Sequence, residues 1–451
     1  MQLVKMFGLR RLSLEGTRSF YMYKLIEKIV RILKKIIPES VVRPLRPAYH
    51  RALAYFMAFS YDFPARELTV IGVTGTKGKS TVAEMLFAIF RAAGHKTALI
   101  STIRFAIEDD SVPNRYKMTL QGRGFSQSFM RKAVCAGCTH IIVEITSESV
   151  PQHRHLFLDL DGLVVTNIQR EHIESHGSFA NYVDAKHTIV ETLVSSNKKN
   201  KVFVANEDVP ETRIFLSEKV PKTIGFAGHE LKNVFEDDRS IRFEYSGTNF
   251  SLPMPGVFNA MNALASIKLA GAFNIPLSVS AKALKNLPVV RGRVECIEAG
   301  QDFLAIVDYA HTPDSLLALY STFKKHRKIC VLGNTGGGRD AWKRAEMGRI
   351  ADEECAEVIL TNEDPYDEDP QAIVNVMAGG MKRKPKIIMD RREAIRMALR
   401  LASLAQDARN IAVLITGKGT DPFIMEAKGK KTPWSDSTVV REELERLLTK
   451  F

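Results

Sequence analysis

The fold of this chain of 451 residues is decided by the stretch Leu68-Thr-Val-Ile-Gly-Val-Thr-Gly-Thr-Lys-Gly-Lys-Ser-Thr81. Its first six residues are mostly apolar and β-branched, which is typical of a buried strand. A glycine-rich turn follows and leads into a helix-like pattern that extends to Ala93. Backbone N–H groups of such a turn converge on phosphate oxygens, and the helix N-terminus adds positive potential. The stretch therefore predicts a phosphate-binding loop in an α/β domain.

Lys79 and Ser80 are the side chains of this loop that suit a nucleoside triphosphate. The lysine would reach the β- and γ-phosphates, and the serine hydroxyl would bind Mg²⁺. The loop departs from the standard pattern because Val73 stands where that pattern has glycine. The Gly–Lys–Ser core and the change from strand to helix remain, so we predict ATP and magnesium as ligands.

Short apolar runs alternate with helical patterns in two parts of the chain, which predicts doubly wound parallel sheets covered on both faces. We expect three parts: a short, basic, helical N-terminal segment (1–66), a central P-loop ATPase domain (67–290) and a C-terminal Rossmann-like α/β domain (291–451). The predicted strands are 68–73, 96–101, 140–145, 163–167, 303–307, 328–332, 358–360, 386–389 and 411–415, with shorter ones around Val202, Ile241 and Phe250. The predicted helices are 81–93, 259–271, 315–325 and 391–404.

The formal charge of +13 is concentrated near the N-terminus, where residues 1–65 hold twelve Lys or Arg and four Asp or Glu. Residues 20–37 have the pattern of a basic amphipathic helix, which would pack on the protein or lie on an anionic membrane surface. A second short helix is expected over 49–63. A nucleic-acid-binding module has only the basic charge in its favour, since such a module also interleaves aromatic side chains. We expect no nucleic-acid partner.

Composition and cysteine usage predict a cytoplasmic protein. No stretch of 18 uncharged apolar residues and no signal-peptide pattern is present. Five scattered cysteines do not suggest a disulfide framework, which fits a reducing compartment, and Cys135 and Cys138 form a lone, structural pair. His172 and His176 lack a third ligand at suitable spacing, so no zinc site is predicted. Glu144, which ends an apolar run, is a candidate magnesium ligand.

Several motifs in a fixed order make the chain resemble the Mur ligases, and among them the ligases that add the third residue of the peptidoglycan stem peptide. The resemblance covers residues 68–440. The motifs are Thr74-Gly-Thr-Lys-Gly-Lys-Ser80, Glu144, Thr166-Asn167, Glu171-His172, His176-Gly177, Asp184-Ala-Lys186, Phe258-Asn-Ala-Met-Asn-Ala-Leu-Ala265, Gly292-Arg-Val-Glu295, Asp308-Tyr-Ala-His-Thr-Pro313 and Gly417-Lys-Gly419.

The resemblance implies a role for each matching residue. Lys79, Lys186 and His172 would be catalytic, and Lys186 would be carbamylated, which turns a cation into a carboxylate-like group. Two magnesium ions would be surrounded by Ser80, Glu144, His172 and Lys186. ATP would be held by Gly75, Thr76, Gly78, Lys79, Ser80, Thr81, Asn259, Asn262, Arg293, Asp308 and His311.

The substrates implied are a UDP-N-acetylmuramoyl peptide and an amino acid, and we expect a monomer. The family's Asp-Asn-Pro-Arg box, which holds diaminopimelate, reads Glu363-Asp-Pro-Tyr366, and its Gly-Lys-Gly-His-Glu reads Gly417-Lys-Gly-Thr-Asp421. Lysine, another amino acid and a diamino acid held differently all remain open. Arg339 and Lys343 would contact the carboxylate or lie in a solvated loop. The candidate substrate residues are Thr166, Asn167, Arg339, Asp364, Tyr366, Gly417 and Asp421.

The predicted reaction is ATP-dependent amide ligation through an acyl phosphate. Alternatives are a folylpolyglutamate-synthase-like or other γ-glutamyl ligase and, from another class, a P-loop switch ATPase. The family's UDP-binding domain has no counterpart of its full length before residue 67. We therefore expect residues 1–65 to form a reduced substrate cap or to hold the enzyme at the inner face of the membrane.

Overall fold

The computed structural model describes residues 39–122, 124–171 and 173–449. The predicted basic helix over 20–37 lies outside these ranges. The first described helix, α1 (Glu39–Ser60), contains 22 residues. The prediction of a short helix over 49–63 is therefore wrong at both ends. Pro47 lies inside α1, and a proline in a helical pattern is normally taken as a helix boundary.

The first α/β unit is built on one large sheet with helices on both faces. Its elements are β1 (Thr69–Thr74), α2 (Lys79–Ala92), β2 (Thr97–Ile100), β3 (Arg104–Ile107), β4 (Asp110–Pro113), α3 (Phe125–Cys135), β5 (His140–Glu144), β6 (Gly162–Val165), α4 (Ile173–His176), α5 (Phe179–Val194), β7 (Val202–Asn206), α6 (Pro210–Phe215), β8 (Lys222–Phe226), β9 (Lys232–Glu236), β10 (Ile241–Tyr245), β11 (Thr248–Leu252), α7 (Val257–Ala272) and α8 (Leu277–Lys285).

Eight strands form this sheet in the order β4-β3-β2-β5-β1-β6-β7-β8. Six neighbouring strands run parallel to one another: β2, β5, β1, β6, β7 and β8. At one edge, β3 pairs antiparallel with β2, and β4 pairs antiparallel with β3. Alternate β1 residues face opposite layers, with Ile71 and Val73 packing toward α2 and α7 and Val70 toward α3 and α5. Burial on both faces explains why β1 is apolar along its length. A small antiparallel sheet of β9, β10 and β11 packs beside it.

The second α/β unit contains a six-stranded sheet in the order β12-β13-β17-β14-β15-β16, with only β12 antiparallel. A hairpin of β18 and β19 stands apart from it. The α/β fold class predicted from the sequence is confirmed. The elements are β12 (Glu295–Cys296), β13 (Leu304–Val307), α9 (Pro313–Thr322), β14 (Arg327–Leu332), α10 (Lys343–Glu354), β15 (Glu357–Leu360), α11 (Pro370–Gly379), β16 (Lys386–Ile387), α12 (Arg391–Ser403), β17 (Ile411–Ile415), β18 (Phe423–Met425), β19 (Lys431–Pro433) and α13 (Asp436–Leu448).

One disulfide joins Cys330 in β14 to Cys355, which follows α10. The sequence predicted no disulfide framework and gave no sign of this single pair. The two residues lie 25 positions apart in sequence, but the βαβ crossover brings them together in the core. Cys135 is an exposed free thiol and Cys138 a buried one.

The carboxyl ends of the parallel strands in both sheets open toward one shared cavity of about 920 Å³. Ligands of open α/β sheets bind at this edge because the connecting loops leave a crevice there. The loops after β1, β5, β6 and β13 all contribute lining residues. This edge is where the sequence-predicted functional residues lie.

Candidate active site

The loop between β1 and α2 has the backbone geometry of a phosphate-binding turn. Gly75 and Gly78 have φ angles of 142° and 82°, in the region that favours glycine. A Cβ atom on Gly78 would lie 2.3 Å from Asn262 Oδ1. Lys79 Nζ bends over the loop and donates to the carbonyls of Gly75 and Thr76 at 3.0 and 2.9 Å. The lysine ammonium therefore lies directly above the loop predicted to bind phosphate.

The loop after β6 holds the phosphate-binding turn in place. Thr166 Oγ1 donates to the carbonyl of Lys77 at 2.6 Å, and Asn167 Oδ1 accepts from the Lys77 N–H at 2.9 Å. The backbone carbonyl of Asn167 accepts from the N–H of Thr76 at 2.9 Å. Thr166 and Asn167, predicted as substrate residues, line the cavity and also brace the loop that carries Lys79.

Ser80 and Glu144 form a buried pair of oxygen ligands. Ser80 Oγ donates to both carboxylate oxygens of Glu144, at 3.2 and 3.1 Å. Thr102 adds a backbone N–H to Glu144 Oε2 at 2.8 Å and a hydroxyl to Oε1 at 2.9 Å. Sequence reasoning missed Thr102 because it follows β2 with no motif around it. His172, the predicted partner, lies outside the described ranges.

Lys186 projects from α5 to the start of the phosphate-binding loop, and its side chain is only 1% exposed. Its Nζ donates to Thr74 Oγ1 at 3.1 Å and to the carbonyl of Gly75 at 2.9 Å. Burial and the nearby Lys79 ammonium lower the pKa of Lys186 to about 7. A large fraction of this amine is therefore uncharged near neutral pH, which makes it nucleophilic.

Two asparagines of α7 lie on the other side of the loop. Asn259 is buried, and its Nδ2 donates to the carbonyl of Pro255 at 2.6 Å. Asn262 borders Gly78 and also lines the cavity. The structure thus places both asparagines, which were predicted to hold ATP, at the cavity, with Asn262 against the phosphate-binding turn.

Residues of the second unit reach across the cavity. Arg293 Nη2 donates to Ser80 Oγ at 3.4 Å, and its guanidinium stacks 4.5 Å from the ring of Tyr309. Asp308 accepts from the N–H groups of Val294 and Ala310, at 2.8 and 2.7 Å. Burial raises the pKa of Asp308 despite those donors and Arg293. The carboxylate therefore orders the backbone that carries Arg293.

Glu171 joins the phosphate-binding loop to the second unit. Its Oε1 lies 2.8 Å from Lys77 Nζ and 2.7 Å from His311 Nε2. Burial lowers the pKa of Lys77 to about 8, against the opposing effect of Glu171. Burial and the nearby Lys77 ammonium lower the pKa of His311 to about 4. Their effect outweighs that of the Glu171 carboxylate, which contacts Nε2 and raises the pKa, while Nδ1 faces the carbonyl of Tyr309. One carboxylate thus links a residue of each unit.

The predicted substrate residues of the second unit fall into two groups. Arg339 lines the cavity, with its guanidinium 5.1 Å from the ring of Tyr366, and Asp421 also lines the cavity. Asp364, Tyr366 and Gly417 lie behind this wall and are not among the lining residues. Gly417 packs closely against Glu363. A Cβ atom at position 417 would lie only 2.2 Å from Glu363 Oε2, so a larger residue would not fit there.

Most of the site residues predicted from the sequence line this one cavity. Those lining it are Gly75, Thr76, Gly78, Lys79, Ser80, Thr81, Glu144, Thr166, Asn167, Lys186, Asn259, Asn262, Arg293, Asp308, His311, Arg339 and Asp421. Sequence reasoning missed Lys117, Thr119, Gln152 and Arg154, which also line it. They lie in loops with no periodic pattern, so only the fold reveals them.

Two family models match the chain: the Mur ligase middle domain over residues 73–270 and the Mur ligase glutamate ligase domain over residues 292–419. A UDP-N-acetylmuramoyl-L-alanyl-D-glutamate–2,6-diaminopimelate ligase from Cytophaga hutchinsonii is 31% identical over 408 residues, covering 88% of this chain and 82% of that protein. A UDP-N-acetylmuramyl-tripeptide synthetase from Roseiflexus sp. is 33% identical over 426 residues, again covering 88% and 82%.

Among solved structures, the folylpolyglutamate synthase of Mycobacterium tuberculosis superimposes with a TM-score of 0.67. The identity is 18%, and the match covers 91% of this chain and 97% of that one. At this identity the likeness shows a shared fold alone. The two family models and the relatives above 30% identity decide the assignment: the chain belongs to the Mur ligase family.

Proposed function

We propose that this chain is an ATP-dependent ligase that joins an amino acid to the terminal carboxylate of a UDP-N-acetylmuramoyl dipeptide during peptidoglycan precursor synthesis. The observation that carries the proposal is the shared cavity. It combines a phosphate-binding loop, the Ser80–Glu144 pair and Arg293 from the second unit. The named activities of the relatives, a diaminopimelate ligase and a tripeptide synthetase, supply the substrate class.

The chemistry requires activation of a carboxylate. A carboxylate does not condense with an amine at neutral pH because hydroxide is a poor leaving group. In-line attack of the carboxylate oxygen on the γ-phosphorus of ATP forms an acyl phosphate and releases ADP. The amine then attacks the acyl carbon, and inorganic phosphate leaves. Lys79 lies above the phosphate-binding loop and would stabilise the charge on the transferring oxygens.

The residues present suit a magnesium ion. Ser80 Oγ and the Glu144 carboxylate offer hard oxygen ligands at one buried point beside the phosphate-binding loop. Magnesium bound there would neutralise phosphate charge. Among the described residues no cluster of three His, Cys, Asp or Glu side chains could hold a metal ion. Phosphate and water oxygens would join Ser80, Glu144 and the predicted ligands His172 and carbamylated Lys186. We retain two ions as a proposal.

Carbamylation of Lys186 fits its surroundings. Its uncharged amine would attack CO₂, forming a nitrogen–carbon bond and releasing one proton to solvent. The product carries an anionic oxygen where the lysine is buried beside Lys79, whose positive charge would stabilise it. The modification would thus place an anion beside a cationic neighbour, at a position where burial disfavours the charged form of the lysine.

Closure of the two units would protect the acyl phosphate. Arg293 contacts Ser80, and His311 contacts Glu171, so side chains of the two units meet beside the phosphate-binding loop. An acyl phosphate hydrolyses if water reaches it, and a closed site excludes that water. The interdomain contacts would therefore couple phosphate transfer to amide formation.

We also propose that the enzyme acts in the cytoplasm as a monomer and contacts the membrane peripherally through residues 20–37. No helix in the described part of the chain is both long and apolar enough to span a bilayer. Helix α1 exposes Leu45, Tyr55 and Phe59, which supports a surface contact. Deletion of residues 1–45 would abolish sedimentation with anionic liposomes, and unchanged sedimentation would contradict this part. Light scattering would test the monomer.

The central test is ATP-dependent product formation. The purified protein is incubated with ATP, Mg²⁺, UDP-N-acetylmuramoyl dipeptide and a panel of amino acids, and products are read by mass spectrometry. We expect a mass gain of one amino-acid residue, absent in Lys79→Ala. Turnover only with folate and glutamate would favour a γ-glutamyl ligase. ATP hydrolysis independent of any acceptor would favour a switch ATPase.

A further inference from the structure

Lys117 belongs to the first unit but places its ammonium among carboxylates of the second. It lies in the loop after β4, and its Nζ is 2.5 Å from Asp364 Oδ2 and 2.9 Å from Asp421 Oδ2. Its backbone adopts a φ of 51°, a left-handed conformation that lysine rarely takes. The tertiary contacts therefore hold this side chain in a specific position between the two units.

The charges around Lys117 are already balanced. Asp364 Oδ1 accepts from the buried Lys418 Nζ at 2.8 Å and from the Met425 N–H at 2.8 Å. Lys418 Nζ also lies 3.4 Å from Asp421 Oδ2. Two ammonium groups thus face two carboxylates. Although burial opposes the charge, Asp421 and Asp364 raise the pKa of Lys117 above its usual value, so the lysine stays protonated.

The third acid of this region does not change the balance. Glu363 is 3% exposed and lies behind the cavity wall, where Thr335 Oγ1 donates to it at 2.7 Å. Burial raises the pKa of Glu363, which favours its neutral form. A ligand in the cavity therefore meets Asp421 and Lys117, which line it, and not Glu363.

We propose that Lys117 determines amino-acid specificity by occupying the position of a substrate's second ammonium group, so that the enzyme selects amino acids without a distal cation. The proposal rests on the proposed function for the use of this pocket. A diamino acid would bring a third ammonium to a site with two carboxylates, and it would have to displace an ion pair that is largely buried. The α-carboxylate would meet Arg339, which forms no ion pair within the described ranges.

Amino-acid preference tests this inference. Wild-type enzyme, Lys117→Met and the control Arg115→Met, an exposed residue of the same loop, are compared in kcat/KM for L-alanine, L-serine, L-lysine and meso-diaminopimelate. Wild type and Arg115→Met are expected to favour the monoamino acids. Lys117→Met is expected to shift preference toward a diamino acid by at least about tenfold, the effect of one charged hydrogen bond. Efficient use of lysine or diaminopimelate by wild type, or an unchanged preference in Lys117→Met, overturns the proposal.

A second measurement separates this inference from the proposed function. Calorimetric titration with L-lysine, without nucleotide or UDP-peptide, is expected to show binding to Lys117→Met and at least about tenfold weaker binding to wild type. The double variant Lys117→Met/Asp421→Asn removes one charge of each sign and should lose the gain in L-lysine binding. Thermal melts check that each variant folds. Equal binding, or none by either protein, overturns the inference. Absence of any amide product beside a gain of lysine binding contradicts only the proposed function.

Discussion

Ser80 and Glu144 are hydrogen-bonded across the carboxyl ends of the neighbouring strands β1 and β5, with Ser80 Oγ 3.1 Å from Glu144 Oε2. The two residues are 64 positions apart in sequence. They come within hydrogen-bonding distance because β1 and β5 pair in parallel and end at the same edge of the sheet. The pair brings a hydroxyl next to the phosphate-binding loop into contact with a buried carboxylate. Its oxygens are therefore the ligands expected to matter most for magnesium.

We predict that Glu144→Gln raises the magnesium concentration needed for half-maximal turnover by at least about tenfold, because loss of a charged ligand weakens cation binding. The measurement is initial rate against MgCl₂ at saturating ATP. Glu346→Gln, at an exposed glutamate of α10 outside the cavity, serves as control. An unchanged magnesium requirement in Glu144→Gln would exclude this carboxylate as a ligand.

The pKa of Lys186 predicts the pH dependence of its carbamylation. Because this pKa is about 7, the reactive uncharged amine increases from pH 6 to pH 8 by about tenfold. At fixed dissolved CO₂, activation of enzyme stripped of CO₂ should accelerate accordingly, with a half-point near pH 7. NMR with ¹³C-labelled bicarbonate should show a carbamate signal that Lys186→Met lacks. A rate that rises only above pH 9 would contradict the lowered pKa.

Local patterns were sufficient to predict the central strands and the phosphate-binding loop. The buried strands β1 and β17 are apolar along their length, and glycines at positive φ mark the turn that follows β1. The edge strands were harder to predict. β4 is largely exposed and β3 is only four residues long, so neither has the continuous apolar run of a buried strand. Short pairings of this kind at the edge of a sheet depend on the neighbouring strand more than on their own residues.

Beyond the phosphate-binding loop and Glu144, the site was predictable only where the resemblance supplied motifs. Lys117 and Asp364 are 247 residues apart, and no periodicity connects them. The contact exists because the loop after β4 meets the loop after β15 beside the shared cavity. The Cys330–Cys355 disulfide has the same origin, since a βαβ crossover brings the two residues together. Contacts set by topology cannot be read from local composition.

The Glu171–His311 contact predicts that substitution of Glu171 uncouples phosphate release from amide formation. Glu171→Gln removes the charge that links Lys77 and His311, which should reduce the population of the closed form by about tenfold. Water would then reach the acyl phosphate, and phosphate release would exceed amide formation. The measurement is the ratio of phosphate to amide product in one reaction mixture, with Glu191→Gln, at an exposed residue of α5 outside the cavity, as the control. A ratio that stays at one in Glu171→Gln would show that this contact does not support closure.

The buried ion pair of Arg391 and Asp436 predicts a loss of stability. The two side chains are 1% and 0% exposed and lie 2.7 Å apart, joining the start of α12 to the start of α13. Arg391 Nη2 also donates to the carbonyl of Thr416, next to Gly417. Arg391→Met leaves the Asp436 carboxylate buried with its main cationic partner removed, and it should lower the free energy of unfolding by about 3–5 kcal/mol.

Urea denaturation measures this effect, and Arg409→Met provides the control. Arg409 is 86% exposed and lies 3.9 Å from Asp302, so its removal should change stability by less than about 0.5 kcal/mol. The double variant Arg391→Met/Asp436→Asn removes both charges. It should recover part of the loss, because the remaining cost then comes from packing and not from an unpaired buried charge. Equal destabilisation by the single and double variants would mean that packing, and not charge, dominates at this contact.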